Sequence, residues 1–146
     1  MSVNNYLIEG EDYVSVQSTI KDAILKNNFN EVVSECYDLV DNSLEKALED
    51  LDTYGLFSDK KIVIVNNVDL LSKEENSKDL DHLYKYLDDP NPTNLLFLCS
   101  KKLNSTLKIT KELKKKCTYI KAELDKNKFA KELLADYKID NKTLNL

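Results

Sequence analysis

Three carboxylates crowd the first predicted strand-to-helix turn, in the sequence Glu9-Gly10-Glu11-Asp12-Tyr13. In an α/β protein, this turn is where backbone N–H groups at a helix N-terminus would cradle phosphate. A phosphate-binding loop needs the pattern Gly-x-x-x-x-Gly-Lys-Ser/Thr, but this turn has one glycine and no lysine. Because the carboxylates would also repel a triphosphate, the turn argues against nucleotide binding.

The second position for nucleotide chemistry is the end of the predicted strand at residues 62–65. An ATPase carries acidic residues there, which hold magnesium and orient the attacking water. In this chain Asn66 and Asn67 occupy those positions. The sequence therefore predicts a fold like that of a nucleotide hydrolase, with a degenerate nucleotide site, no bound cofactor and no catalytic residues of its own.

A receiver-like phosphoacceptor or nucleotide-dependent switch is the alternative from a different functional class. A receiver-like domain is also doubly wound, and Glu11 with Asp12 would supply its acidic pair, with Lys101 as its trailing lysine. The aspartate that it needs at the end of the third strand is replaced by Asn66 and Asn67. Binding of nucleotide or magnesium at residues 9–12 would separate this alternative from a non-catalytic interaction module.

The cysteines and the histidine do not have the spacing of a metal site. Cys36, Cys99 and Cys117 are scattered among apolar or β-forming neighbours, and we expect them to be buried free thiols. His82 is the single histidine, so no zinc-binding pattern exists. It stands beside an apolar helix stripe without a nucleophile nearby, and we expect it at the surface or at the boundary of the core.

Composition limits the function classes. A chain of 146 residues with 42% hydrophobic residues can bury an ordinary globular core. It has no apolar run of about 18 residues and no signal-peptide pattern, so the expected location is the cytoplasm. The net charge of −5 argues against tight binding of nucleic acid by this chain alone. All 21 basic residues are lysine, which excludes an arginine finger. The abundance of Lys, Asn, Ile and Tyr is typical of an AT-rich genome.

Hydrophobic patterning predicts alternating strands and helices. The predicted strands are residues 6–8, 32–37, 62–65, 95–99 and 117–121. The predicted helices are residues 13–26, 42–53 with an Asn42/Glu45 capping box, 72–88 with a Ser72/Glu75 capping box, 106–116, and a last helix capped by Asp125. This order predicts an α/β three-layer sandwich with a central, mainly parallel five-stranded sheet in residues 1–122. Residues 123–146 are expected to begin a second domain that this chain does not complete.

Two large apolar side chains, Leu56 and Phe57, stand in the loop after the second predicted helix. Gly55 is the expected helix stop, because glycine takes a left-handed backbone conformation without a steric cost. The pattern leaves two interpretations open. The pair either packs back under the sheet as a hydrophobic staple or is exposed and binds a partner protein.

The fourth predicted helix, residues 106–116, has a basic end, formed by Lys111, Lys114, Lys115 and Lys116. Favourable interaction with the negative end of the helix dipole is one explanation. Contact with DNA or with an acidic neighbouring subunit is the other.

A resemblance to a known family is carried by residues 6–12, 51–65 and 87–98, followed by Lys101-Lys102-Leu103-Asn104 and the lysine-rich helix. In order and spacing, these stretches resemble the N-terminal AAA+-like domain of the delta subunit of the bacterial DNA polymerase III clamp loader. The resemblance extends over nearly the whole chain.

The resemblance implies a non-catalytic subunit of the DNA polymerase holoenzyme, which binds the sliding clamp (beta) and opens its ring for loading onto primed DNA. The family's Leu-Phe pair inserts into a hydrophobic pocket of the clamp, and this implies that Leu56 and Phe57 make the contact, flanked by Tyr54 and Gly55. It also implies the gamma/tau and delta prime subunits as partners of the full-length protein, DNA contact only through the assembled complex, and a lid domain after residue 122. The chain departs from the family in having no arginine in residues 103–113 and in stopping before the lid and collar domains are complete.

Overall fold

The structure, a computed structural model, describes residues 4–52, 60–74 and 77–123. Strands and helices alternate along these ranges. The strands are β1 (Asn5–Glu9), β2 (Ser34–Asp38), β3 (Lys61–Asn66), β4 (Asn94–Ser100) and β5 (Thr118–Lys121). The helices are α1 (Tyr13–Lys26), α2 (Leu44–Asp52), α3 (Lys78–Asp88) and α4 (Lys108–Lys116), with a 3-10 helix at Val68–Glu74.

The five strands form one sheet in the order β2-β3-β4-β1-β5, and every neighbouring pair is parallel. Alternate residues of a strand point to opposite faces of the sheet. Tyr6 and Ile8 of β1 therefore pack in a core cluster with α1, whereas Leu7 packs in a second cluster with the buried faces of α2, α3 and α4. These two cores confirm the predicted α/β three-layer sandwich with a central parallel sheet.

Helix α1 has the bounds that the sequence predicts. Asp12 caps its start by accepting a hydrogen bond from Ser15 N at 3.0 Å. At the other end Asn28 takes a left-handed conformation with φ 62°, and Phe29 N donates to Ile24 O at 2.9 Å. Asparagine tolerates this conformation better than most residues, so the predicted end of this helix at residue 26 has a clear physical cause.

The predicted start of α3 at Ser72 is wrong. Ser77 is the N-cap residue, and its hydroxyl accepts from Leu80 N at 3.1 Å. The chain before it forms the 3-10 helix, whose period of about three residues places Val68 and Leu71 on the same buried side. Residues 72–74 therefore belong to this 3-10 helix and not to the predicted α-helix.

Other boundaries shift by one or two residues. Helix α2 begins at Leu44, so Asn42, the predicted cap, stands two residues before it, and α4 begins at Lys108 rather than Thr106. The predicted helix capped by Asp125 and the predicted second domain, residues 123–146, lie outside the described residues apart from Glu123. In the described ranges, no helix has the length and apolar character needed to span a bilayer.

All three cysteines are free thiols, but their burial differs from the prediction. Cys99 is buried and Cys117 is partly buried, and burial raises the pKa of each thiol to about 12. Cys36 is exposed, so the prediction of burial is wrong for this residue. The reason is that β2 is an edge strand of the sheet, with a neighbour on one side only.

Candidate functional site

The predicted contact residues belong to the connection between α2 and β3. Tyr54, Gly55, Leu56 and Phe57 fall within residues 53–59, here named the α2–β3 segment, and lie outside the described residues. The described residues on either side show how this segment is attached. Because every strand is parallel, β3 begins at the edge formed by the amino ends of the strands, here named the amino edge.

A buried asparagine holds the last turn of α2. Asn94, the first residue of β4, is only 2% exposed. Its Nδ2 donates to Leu51 O at 2.7 Å and to the Tyr86 hydroxyl at 3.2 Å. The last carbonyl groups of a helix have no partner inside the helix, so this amide gives one of them a donor and joins α2 to β4.

A second contact joins the described residues on the two sides of the α2–β3 segment directly. Lys61, at the start of β3, donates from Nζ to Asp50 O at 2.8 Å and to Asp50 Oδ1 at 3.2 Å. The Tyr37 hydroxyl donates to the other oxygen of the same carboxylate at 2.9 Å. Burial, followed by the hydrogen bond to Asp50, raises the pKa of Tyr37 to about 12. Tyr37 therefore stays protonated as a donor at neutral pH.

Further contacts hold the residues next to the segment. His82 Nε2 lies 2.7 Å from Asp52 Oδ2, and His82 is half-buried at the edge of the core, as the sequence predicts. On the other side, Lys60 Nζ donates to Asn28 O at 3.1 Å and lies 5.0 Å from the centre of the Phe29 ring. The described residues on both sides of the α2–β3 segment are thus held by contacts with other elements of the fold.

The opposite edge of the sheet, formed by the carboxyl ends of the strands and here named the carboxyl edge, contains the first turn, residues 9–13. The space beside Gly10 in this turn is too small for a side chain. A Cβ at Gly10 would lie 2.8 Å from Ala122 O, and Gly10 N already donates to Ser100 O at 3.0 Å. The backbone of residue 122 therefore packs against the turn where a phosphate-binding loop would need room.

Two carboxylates of this turn have structural roles. Glu9 accepts hydrogen bonds from Leu103 N at 2.8 Å and from the Tyr119 hydroxyl. Partial burial acts to raise the pKa of Glu9, but these two hydrogen bonds and the nearby charges of Lys114 and Lys121 together lower that pKa. Hydrogen bonds from Ser15 to the capping carboxylate likewise lower the pKa of Asp12.

Asn66 and Asn67 end β3 beside a cleft of about 320 Å³, which also borders Gly10 and Lys101. Asn67 has a left-handed backbone with φ 63°, and its Nδ2 donates to Asp38 Oδ1 at 2.7 Å. Among the residues that the structure describes, no three carboxylate, thiol or imidazole groups are clustered to hold a metal ion.

The predicted lysine cluster divides into two pairs. Lys116 donates to Asp88 Oδ1 at 2.5 Å, and Lys114 lies over the Tyr119 ring, 4.5 Å from its centre. Lys111 and Lys115 are exposed. The structure thus places two of the four lysines in contacts within the protein and leaves the other two at the surface of α4.

Sequence reasoning missed Asn94, Lys61 and Tyr37 as residues that hold the end of α2. The sequence signal for Asn94 is a single polar residue at the start of an otherwise apolar strand, residues 94–99. Its partner Leu51 is 43 positions away in the chain, so no local pattern reveals the contact.

The model of the family "DNA polymerase III, delta subunit" matches residues 6–123. The DNA polymerase III subunit delta of Bacillus subtilis (strain 168) is 25% identical over 127 residues, which are 81% of this chain and 37% of that protein. The solved structure of the Bacillus subtilis DNA clamp loader delta protein matches with a TM-score of 0.63 and 24% identity, over 80% of this chain and 37% of that one.

A DNA polymerase III gamma subunit-related protein from Thermotoga maritima matches with a TM-score of 0.53 and 16% identity, over 86% of this chain and 43% of that one. These likenesses confirm the predicted AAA+-like fold. The chain spans a little over a third of the length of the Bacillus relatives. The family model covers most of the chain, and the chain therefore belongs to the DNA polymerase III delta subunit family.

Proposed function

We propose that this chain is the clamp-binding part of a clamp loader delta subunit. It binds the sliding clamp through Leu56 and Phe57, with Tyr54 and Gly55 flanking them, and helps to open the ring for loading onto primed DNA. The observation that supports the proposal is that the described residues flanking the α2–β3 segment are held in place, Leu51 by Asn94 and Asp50 by Lys61.

The physical argument rests on the cost of ordering a binding loop. Protein interfaces draw most of their free energy from a few buried apolar or aromatic anchors, each costing more than about 2 kcal/mol when truncated. A loop that is free in solution loses part of this energy because it must be ordered on binding. Contacts at residues 50–52 and 60–61 fix the two points between which the seven residues 53–59 run, and we expect this to lower that cost.

In this proposal the chain has no catalytic activity of its own and acts as a subunit of the polymerase holoenzyme. Ala122 fills the space beside Gly10, and Asn66 and Asn67 stand where acidic residues would hold magnesium. The proposed partners of the full-length protein are the gamma/tau and delta prime subunits. DNA is contacted through the assembled complex, in the cytoplasm, with a lid domain continuing after residue 122.

The first turn, residues 9–13, also argues against the phosphoacceptor or nucleotide-switch alternative. Asp12, one of the two proposed acidic residues, accepts hydrogen bonds as the cap of α1, and its pKa is lowered by them. Glu11 remains exposed at the turn. We expect neither Mg²⁺ nor nucleotide to bind measurably at residues 9–12 in calorimetry, and binding there would favour the switch.

The direct test is calorimetric titration of the chain with the sliding clamp of the same organism. We expect the double variant Leu56→Ala/Phe57→Ala to bind at least about a hundredfold more weakly, because two anchors are lost. The matched control is Tyr13→Ala/Val14→Ala, which removes an aromatic and an aliphatic side chain that are 74% and 47% exposed near the carboxyl edge. Equal affinity of the two double variants, with folding verified by circular dichroism, would refute the assigned contact.

A further inference from the structure

The outer side of β2, here named the β2 edge, has backbone groups without a partner. Within the described sheet, β2 is the last strand on one side and pairs with β3 alone. Leu39 N donates to Asn66 O at 3.1 Å, so the backbone groups of Leu39 and of alternate residues before it point towards β3. The N–H and C=O groups of Ser34 and Cys36, and the N–H of Asp38, therefore point away from the sheet.

The β2 edge lacks the features that usually prevent a further strand from pairing. Native edge strands are commonly protected by proline, by lysine or by a bulge. Strand β2 contains neither proline nor lysine, and all its residues pair with β3 in a regular register. Pairing ends at Asp38, because its carbonyl oxygen accepts from Asp41 N at 3.0 Å and from Asn42 N at 2.8 Å as the chain turns. The main chain of a partner can therefore pair along the length of β2.

The residues around the β2 edge are acidic. Residues 27–45 contain no lysine, so every charged side chain in this stretch is a carboxylate. Glu31, Glu35 and Asp41 are exposed, and none of the three forms an ion pair within the described part of the chain. Lys60 lies beside the loop before β2 but donates to Asn28 O at 3.1 Å. The β2 edge thus combines unpaired backbone groups with unpaired negative charge.

We propose that the β2 edge binds an extended basic segment of a partner protein, which adds a strand to the sheet. In this mode of recognition, main-chain hydrogen bonds supply affinity and side chains supply specificity. Glu35 attracts the lysine or arginine side chains of the segment. A second copy of this chain does not fit, because its β2 would bring carboxylates of the same sign to the edge. The site shares no residue with the clamp contact proposed above.

The probe for the test is a synthetic peptide of alternating lysine and valine, blocked at both termini and titrated into the chain by NMR. We expect the backbone amide signals of Ser34, Cys36 and Asp38 to shift, and a peptide with glutamate in place of lysine to leave them unchanged.

Position 36 provides a matched pair of substitutions for the main-chain contact. Cys36→Pro removes an N–H that points away from β3, so the existing sheet keeps its hydrogen bonds. We expect this variant to bind the lysine peptide about tenfold more weakly, because a main-chain hydrogen bond is lost. Cys36→Ser keeps the N–H, and we expect its affinity to equal that of the unchanged chain.

A second pair of variants tests the charge. Glu35→Lys reverses the charge on β2, and we expect about tenfold weaker binding of the lysine peptide. Asp81→Lys makes the same change at an exposed position of α3, and we expect a much smaller effect. Equal weakening by these two variants would overturn the site, because the effect would then be one of net charge.

Three other results would also overturn the proposed site at the β2 edge. They are absence of binding by the lysine peptide, equal binding of the glutamate peptide, and full affinity of Cys36→Pro. Self-association of the chain through β2, detected by sedimentation in the absence of peptide, would overturn the choice of a basic partner. Urea unfolding of each variant establishes that the comparison is made on folded protein.

Discussion

Substitution of Asn94 by alanine tests whether a buried side-chain amide fixes the end of α2. The Asn94 amide donates two hydrogen bonds, at 2.7 Å to Leu51 O and at 3.2 Å to the Tyr86 hydroxyl. Leu51 is 1% exposed, so its carbonyl group has little access to water that would replace the donor.

The expected loss of stability in Asn94→Ala follows from the burial of the groups that the amide contacts. A buried acceptor left without a donor costs about 1–3 kcal/mol, and loss of a second hydrogen bond costs about 0.5–1.5 kcal/mol. We therefore expect Asn94→Ala to lower the free energy of unfolding by about 2–4 kcal/mol, a large part of the total of a small domain. In urea, this corresponds to a midpoint lower by about 1–2 M.

Urea unfolding followed by circular dichroism measures this change, and Asn104→Ala is the matched control. Asn104 also makes two side-chain hydrogen bonds, with Thr106 N at 3.0 Å and the Thr106 hydroxyl at 2.6 Å, but it is exposed. Water replaces these bonds, so we expect a loss under about 0.5 kcal/mol. Equal stability of the two variants would refute the role given to Asn94.

Three further predictions concern the first turn and the capping of α3. Burial acts to raise the pKa of Glu9, but its hydrogen bonds and the charges of Lys114 and Lys121 bring it below the ordinary value of 4.5. The stabilising effect of the Glu9 carboxylate is therefore complete above that pH and is lost as the pH falls through the lower folded pKa. We expect Glu9→Gln to remove that acid dependence, which urea unfolding at several pH values between about 3 and 6 would detect. Gly10→Ala should destabilise the fold by about 1–3 kcal/mol, because its Cβ would lie 2.8 Å from Ala122 O, and a thermal melt unchanged from that of the original chain would contradict this reasoning. Ser77→Ala should lower the free energy of unfolding in urea by about 1 kcal/mol, because α3 loses its N-cap. Ser72→Ala should lower it clearly less. The reverse ranking would support the Ser72/Glu75 capping box predicted from the sequence.

Local patterns were sufficient to predict the layered fold. Four consecutive β-branched residues, 62–65, indicate a strand covered on both faces, and β3 forms there. The bounds of α1 follow from the Asp12 cap and the Asn27-Asn28 stop, both of which act within a few residues. The family was also recognisable, since its resemblance extends over most of the chain.

The features that the sequence did not predict depend on distant contacts or on position in the sheet. Cys36 has strand-forming neighbours, but its exposure is set by the place of β2 at the sheet edge. Asn94 acts on Leu51 across 43 positions. The clamp contact at Leu56 and Phe57 stays a prediction, because these two residues lie outside the described residues.

The strand order also has a consequence for how the chain acquires its structure. Strand β1 is made first, but its neighbours in the sheet are β4 and β5, so Tyr6 lies beside Phe97 and Thr118. Contacts between such distant positions form late, because a long loop must be closed before they stabilise the chain. During synthesis β1 stays unpaired until residues 94–100 have emerged, and its apolar side chains are exposed to chaperones and to aggregation until then. A chain that stops before Asn94 would lack both neighbours of β1, together with the amide that holds the end of α2.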